Sequence, residues 1–157
     1  MAVSASGLFV VNIIDVFDAT QLAIDLSLTT NKIALISNSA TPDFDTYDGW
    51  SDLSANEVSG TGWASGGVAL SAAASGATST SPTTTVNPTG TMMYDMNDIS
   101  VASTTLSNAR AAVIYQDALA GDNLIVLVNF GANYSTTAGT FGITWAATGV
   151  FYIDLTP

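Results

Sequence analysis

Ala109-Arg-Ala-Ala-Val-Ile-Tyr-Gln116, Asp117-Ala-Leu-Ala-Gly-Asp122 and Asn123-Leu-Ile-Val-Leu-Val-Asn-Phe130 run consecutively. In the first segment Val113 and Tyr115 alternate with the small or polar Arg110, Ala112 and Gln116; Ile114 is the exception. From Leu124 to Val128 every position is apolar. Short apolar runs bounded by turn residues read as strands buried on both faces. The Asp/Gly-containing hexapeptide between them predicts an antiparallel hairpin, with the rest of the chain laid against it.

Outward from that hairpin, many short strand-like segments follow one another. Lys32 to Ser37 is strand-like, with Ile33, Leu35 and Ile36 apolar, and is expected to pair with Leu22 to Leu28 across Thr29-Thr-Asn31. Val68–Ala73, Met92–Met96 and Ile99–Ala102 are further candidates, with Thr104–Asn108 leading into the hairpin and Gly131–Gly139 as a turn region after it. Thr140–Trp145 and Val150–Leu155 are expected to form a last hairpin around Ala146-Ala-Thr-Gly149. Such a pattern predicts a mainly β protein, an antiparallel sandwich or barrel-like fold. A length of 157 residues fits a single domain over 1–157.

One helix is expected, from Gly7 to about Asp18, with Ser4 or Ser6 as its cap. Phe9, Val10, Ile13, Ile14, Val16 and Phe17 would form its buried face, and Asn12, Asp15 and Ala19 its outer one. That face is expected to cover one end or face of the sheet; the other reading docks it on a neighbouring subunit. Residues 38–67 read as a long irregular loop or arm. Trp50 and Trp63 within it each need a pocket, in this subunit or a neighbour. Residues 76–90 are Ser/Thr/Pro-rich, and Pro82 and Pro88 confine any strand there to an edge.

Composition bounds the function. Thirteen acidic residues face two basic ones, Lys32 and Arg110, for a net charge of −11. Phosphate-backbone binding is therefore not expected, because that affinity comes from Lys and Arg. Anionic membrane surfaces are disfavoured likewise, and no apolar run reaches the roughly 20 residues of a spanning helix. Gly7–Ile14 is apolar except for Asn12, but short and without a basic leader, so it does not read as a signal peptide, and a chain made in the cytosol and not exported by that route is expected. Without Cys or His, thiolate nucleophiles, imidazole bases and the usual zinc sets are unavailable. Charged residues make up only 10% of the chain, against about 25% on average. A surface of Ser, Thr, Asn, Gly and Ala loses little side-chain entropy when pressed against another protein.

Candidate chemistry is sparse. Asp43, Asp45 and Asp48, with Asp52 and Glu57 nearby, are weak candidates for calcium. The spacing departs from an EF-hand loop, since the fifth position from Asp43 is Tyr47 and Gly49 comes one place late, and a solvated acidic loop is the default reading. A carboxylate pair for glycoside hydrolysis is a weaker reading still, because any acidic chain offers such pairs. Lys32 reads as a charge at a hairpin end, not a Schiff-base lysine. Arg110, at the head of a central strand, is expected to form a structural ion pair with Asp95, Asp98 or Asp117. No catalytic residue and no cofactor are expected. Trp50, Trp63, Phe9, Ile13 and Phe44 are the candidates for partner contacts.

Several segments also read together. They are Asn31-Lys-Ile-Ala-Leu-Ile36, Asn56-Glu-Val-Ser-Gly-Thr-Gly-Trp-Ala-Ser-Gly-Gly67, Ala109-Arg-Ala-Ala-Val-Ile-Tyr115, Asn129-Phe-Gly131 and Thr144-Trp-Ala-Ala-Thr-Gly-Val-Phe151. In this order, with a short helix before Asn31 and a Pro-Asp loop between Ile36 and Asn56, the chain resembles a family of small structural proteins of tailed bacteriophages. Members of that family carry an EV-T-GTGY-TAGG segment, an AR-AVIY strand and a W-N-A-GIF ending. This chain has Trp63 for the usual Tyr, Ala146 for the usual Asn, and a Thr-rich insert near Ser79 to Thr85. The resemblance implies a virion component without catalytic activity, assembled in the host cytoplasm. Within it, a capsid decoration (cement) protein is favoured, with the major capsid protein as partner and self-association as a trimer by analogy. A tail or head-fibre component is the alternative. A carbohydrate-binding module, resting on the acidic loop with Trp50 and Trp63, is a remoter one.

Overall fold

The computed structural model describes residues 2–18, 22–74, 80–87 and 89–156. In chain order the elements are β1 (Gly7–Leu8), α1 (Val10–Phe17), β2 (Lys32–Ser37), β3 (Glu57–Val58), β4 (Val68–Ala69), β5 (Thr83–Val86), β6 (Thr91–Asp95), β7 (Ile99–Gln116), β8 (Asn123–Ile143) and β9 (Phe151–Asp154). Single 3-10 turns occur at Trp50–Asp52, Ser54–Asn56 and Leu70–Ala72. The fold is mainly β, with antiparallel sheets and, among the described residues, one α-helix, as expected.

The β7–β8 hairpin is the centre of the larger sheet, whose order is β1-β8-β7-β2-β3, with β4 also on the outer edge of β2. Along β2 the side chains alternate between two apolar layers. Ile33 and Leu35 enter one with Trp63, Leu70, Tyr94 and Ile114; Ala34 and Ile36 enter the other with Phe9, Trp50, Leu53 and Tyr115. Period-two alternation with both faces covered gives the near-continuous apolar run that β2 shows in sequence. The first layer is closed by a three-stranded sheet, β5-β6-β9, giving a sandwich-like arrangement. The second layer is closed by the N-terminal segment and the loop after β2.

Four local expectations are corrected. Residues 22–28 form turns and no strand; Asp25 N–H donates to the Gln116 side chain instead. The C-terminal hairpin does not form. Ile143 pairs with Ile99 in the larger sheet, whereas Phe151–Asp154 pairs with β6 in the smaller one. The strands switch sheets around the Ala146–Gly149 bridge. Ile99–Ala102, Thr104–Asn108 and the expected turn Gly131–Gly139 are all part of the two long strands. Val68–Ala73 is two residues of strand followed by a 3-10 turn.

The 38–67 region is irregular but is not a free arm. Leu53 and both tryptophans anchor it to this subunit's own sheet. In the 76–90 segment, Thr83–Val86 is an exposed edge strand, as Pro82 suggests. Residues 76–79, Pro88 and also Ala19 lie outside the described residues.

Candidate functional site: an apolar cleft beside the helix

Helix α1 sets the site, and it sits the other way round from the expected orientation. Its one buried residue is Asn12, 1% exposed, while Phe17 is 85% exposed and Ile14 56%. The reason is a hydrogen-bonding demand of the sheet edge. Asn12 Nδ2 donates to the Asp48 carbonyl (2.7 Å) and the Leu124 carbonyl (2.8 Å), and Asn12 Oδ1 accepts from Asn123 Nδ2 (3.3 Å). Buried carbonyls without a donor cost about 1–3 kcal/mol each, so the amide is drawn inward. At 3.6 residues per turn, Val10, Ile14 and Phe17 then lie about 140–160° round the helix from Asn12. They face outward. No serine caps the helix; Ser6 Oγ accepts from Asn129 N–H, and Phe9 is at the cap position. Phe9 N–H donates to the Ile125 carbonyl and Val10 N–H to the Phe44 carbonyl, which ties the helix start to β8 and to the loop.

The outward and sideward residues of α1 form one wall of a cleft of about 300 Å³. That wall is Ile13, Val16 and Phe17; Ile24 and Leu26 of the turn segment form a second. Ile153 and Leu155 form the third, and Met92, Ile125 and Phe151 the remaining lining. Every lining residue is apolar. The carboxylates next in sequence, Asp15, Asp25 and Asp154, are not among the lining residues. Hydrogen bonds from the Ser27 hydroxyl and N–H hold the Asp25 carboxyl below the usual carboxylate range. Asp154 Oδ1 accepts from the N–H and hydroxyl of Thr156.

The candidate contact residues separate. Ile13 lines the cleft, half-buried. Phe44 is half-buried on the opposite layer, its ring 5.4 Å from that of Phe9. Phe9, Trp50 and Trp63 are corrected as contact residues, because all three are buried in this subunit. Trp50 stacks on Tyr115 with centroids 5.3 Å apart, and Trp63 meets Phe141 edge-on at 5.5 Å. The burial of these large rings satisfies the need for pockets within the chain, and neither indole is left as a platform for a sugar.

The ionic candidates are placed as follows. Asp43 Oδ1 accepts from Asp45 N–H, and bonds from the Thr46 side chain and Asp45 N–H lower the Asp43 pKa. Asp52 Oδ2 accepts from Asp48 and Gly49 N–H. These carboxylates stabilise local turns, and among the described residues no group of three or more acidic side chains is placed to hold a metal. The ion pair expected at Arg110 does not form. Asp117 pairs with Lys32 at 2.8 Å. Arg110 and Asp117 are separated along an extended strand by about 3.4 Å per residue, a span of seven residues that no side chain bridges. Asp98 accepts from Trp145 N–H and Asp95 from Met96 N–H. Arg110 Nε is buried without a partner among the described residues.

No single motif announces the cleft, but six of the eight residues of Val10–Phe17 are apolar, and they cover all of the helix except the side of Asn12 and Asp15. Such a short helix at a surface exposes part of them whichever way it is turned. No family model matches the chain, and searches of curated proteins and of solved structures likewise find no match.

Proposed function

We propose that this protein is a non-enzymatic structural component of a tailed-phage virion, a capsid decoration protein that packs on the head shell and stabilises it through contacts with the major capsid protein. The observation that carries the reading is the outward apolar face of α1 and the cleft behind it. Exposed apolar groups concentrated at one place favour a protein contact. The rest of the surface supports it, with few long charged side chains to immobilise on docking. The resemblance of the ordered segments from Asn31 to Phe151 supplies the virion context. Trimerisation on the shell follows that analogy, and nucleic acid and lipid play no part in the reading.

The test is the copy number in purified particles, by quantitative mass spectrometry against the major capsid protein. The expected result is a number comparable to that of the shell subunits, with rebinding of purified protein to stripped capsids. A few copies per particle would move the protein to the tail or a fibre. Absence from particles would overturn the virion reading.

A further inference from the structure

We propose that the far half of β8 forms a binding site for a neutral saccharide, with the Tyr134 ring as its platform and the hydroxyls of Ser135, Thr136, Thr140 and Thr144 around it. A pocket of about 420 Å³ lies there and shares no lining residue with the cleft beside α1. That size is within the range of small-ligand sites. The pocket is built by one strand bent on itself. Phe130 and Phe141 both belong to β8, and a straight strand would separate them by roughly 37 Å. Their ring centroids are 6.0 Å apart. Between them Gly131 and Ala138 have left-handed backbone, and the pairing with β7 shifts repeatedly. Bulges bend a strand and re-aim its side chains. Left-handed backbone at a residue other than glycine is costly, and it persists only where the surroundings hold it.

The lining gives the chemistry of the occupant. Tyr134 is 51% exposed. It meets Phe130 edge to face, with centroids 6.1 Å apart. A T-shaped contact covers at most one face of a ring, so another is left for a ligand. Five of the nine lining residues carry a hydroxyl, and none is charged. The ribbon holds two of those hydroxyls in place: Ser135 Oγ accepts from Asn108 N–H at 3.0 Å, and Thr136 Oγ1 shares a hydrogen bond with Thr104 Oγ1 at 2.8 Å. A hydroxyl both donates and accepts, as the hydroxyls of a sugar do. The C–H face of a pyranose is apolar and packs on an aromatic ring. A neutral saccharide therefore uses both parts of the lining. Other ligands that stack on aromatic rings fit less well. Nucleic acid bases come with phosphates that call for Lys or Arg, and neither lines the pocket. Proline-rich peptides dock in grooves lined by aromatic rings; of the three rings here only Tyr134 is exposed, Phe141 being buried and Phe130 half-buried.

The probes are maltohexaose, cellohexaose and mannohexaose, with decaproline as the competing ligand class. Each is titrated into the isotope-labelled full chain and read by backbone amide shifts. The expected result is that at least one of the sugars binds and moves the amides of residues 130–144, leaving those of α1 in place. Tyr134→Ala should weaken that binding by about tenfold or more at unchanged Tm. Tyr134→Phe keeps the ring and should stay within about threefold. Thr140→Val with Thr144→Val removes two of the hydroxyls and should weaken binding while the ring remains. Tyr152→Ala removes an exposed tyrosine outside the pocket and should leave binding intact. No binding of any of the three sugars would overturn the proposal. So would an equal loss in Tyr152→Ala, which would show unspecific stacking on exposed rings, or tighter binding of decaproline at the same amides, which would make a peptide the occupant. The proposal does not rest on the virion reading, so the copy number in particles and the sugar titration are decided separately.

Discussion

The two halves of the β7–β8 hairpin are one continuous ladder with opposite characters. Near the turn, Ala111–Gln116 and Asn123–Leu127 are buried throughout, between the small sheet on one side and the Trp50 loop on the other. The pairing there runs from Ala111 opposite Asn129 to Ile114 opposite Val126 without a break, followed by one offset before Tyr115. In the far half the register shifts four times between Val101 and Ala111. Ser103, Asn108, Gly131 and Ala138 all have left-handed backbone there, and most of 129–140 is exposed. A one-residue slip turns every side chain to the other face. Where both faces are dry, packing opposes a slip, and the single offset before Tyr115 is the one that occurs there. Where one face meets water, extra residues are absorbed as bulges that bend the strands. Register in this protein is thus specified by burial, not by the hydrogen-bond ladder.

The largest expected effect tests that contrast directly. Ile114→Ala in the near half should cost about 2–5 kcal/mol in urea unfolding, as for other buried Ile truncations. Tyr134→Ala in the far half should stay within about 0.5 kcal/mol, as at other exposed sites. Equal costs would break the comparison. Asn12→Ala comes next. It removes the donor from the Leu124 carbonyl of the near half and from the Asp48 carbonyl. A loss of about 2 kcal/mol or more is expected, with faster hydrogen exchange confined at first to α1 and its neighbours.

A pH experiment sharpens the same point. Burial, with the Asp117, Asp122 and Glu57 charges adding to it, raises the Tyr115 hydroxyl above its ordinary pKa of 10.0; burial alone raises Tyr94. A raised folded pKa means that the native state keeps its proton when the unfolded chain has lost it. The stabilisation is then complete below about pH 10 and lost as pH rises toward the raised values. The Tm should fall above pH 10, less steeply in Tyr115→Phe. That variant should also start about 1 kcal/mol lower, having lost the bond from the hydroxyl to the Gly66 carbonyl. A Tm flat through pH 11 would remove the claim.

The smallest effect should have opposite signs in the two halves. Ala138 is exposed at φ 47°, and relief of left-handed strain by Ala138→Gly should stabilise by up to about 1 kcal/mol. Ala112→Gly, in the buried extended half, should destabilise by about that amount or more. The same sign at both sites would refute the reading of the far half as strained.

What was legible in the residues was local. Val113, Tyr115 and Leu124–Val128 announced the paired strands, and Pro82 announced an edge. What was not legible depended on distant partners. Phe151–Asp154 has a strand's composition, but nothing in it says that Met92–Tyr94 and not Thr140–Ile143 will pair with it. Asn12, alone in an apolar run, reads as a solvent-facing residue until the Leu124 and Asp48 carbonyls are placed beside it. Trp50 and Trp63, inside loop sequence, look available until the sheet supplies their pockets.

The sequence by itself determined a mainly β chain built on one long hairpin, an acidic and charge-poor surface, and a chemistry without thiol or imidazole. These follow from residue type and period-two patterning, which every residue carries with it. Only the tertiary structure decided which sheet each end strand joins, which way α1 is turned, and therefore where the apolar cleft opens. Those outcomes depend on buried carbonyls and packing faces contributed by residues far apart in the chain, and no local pattern encodes them.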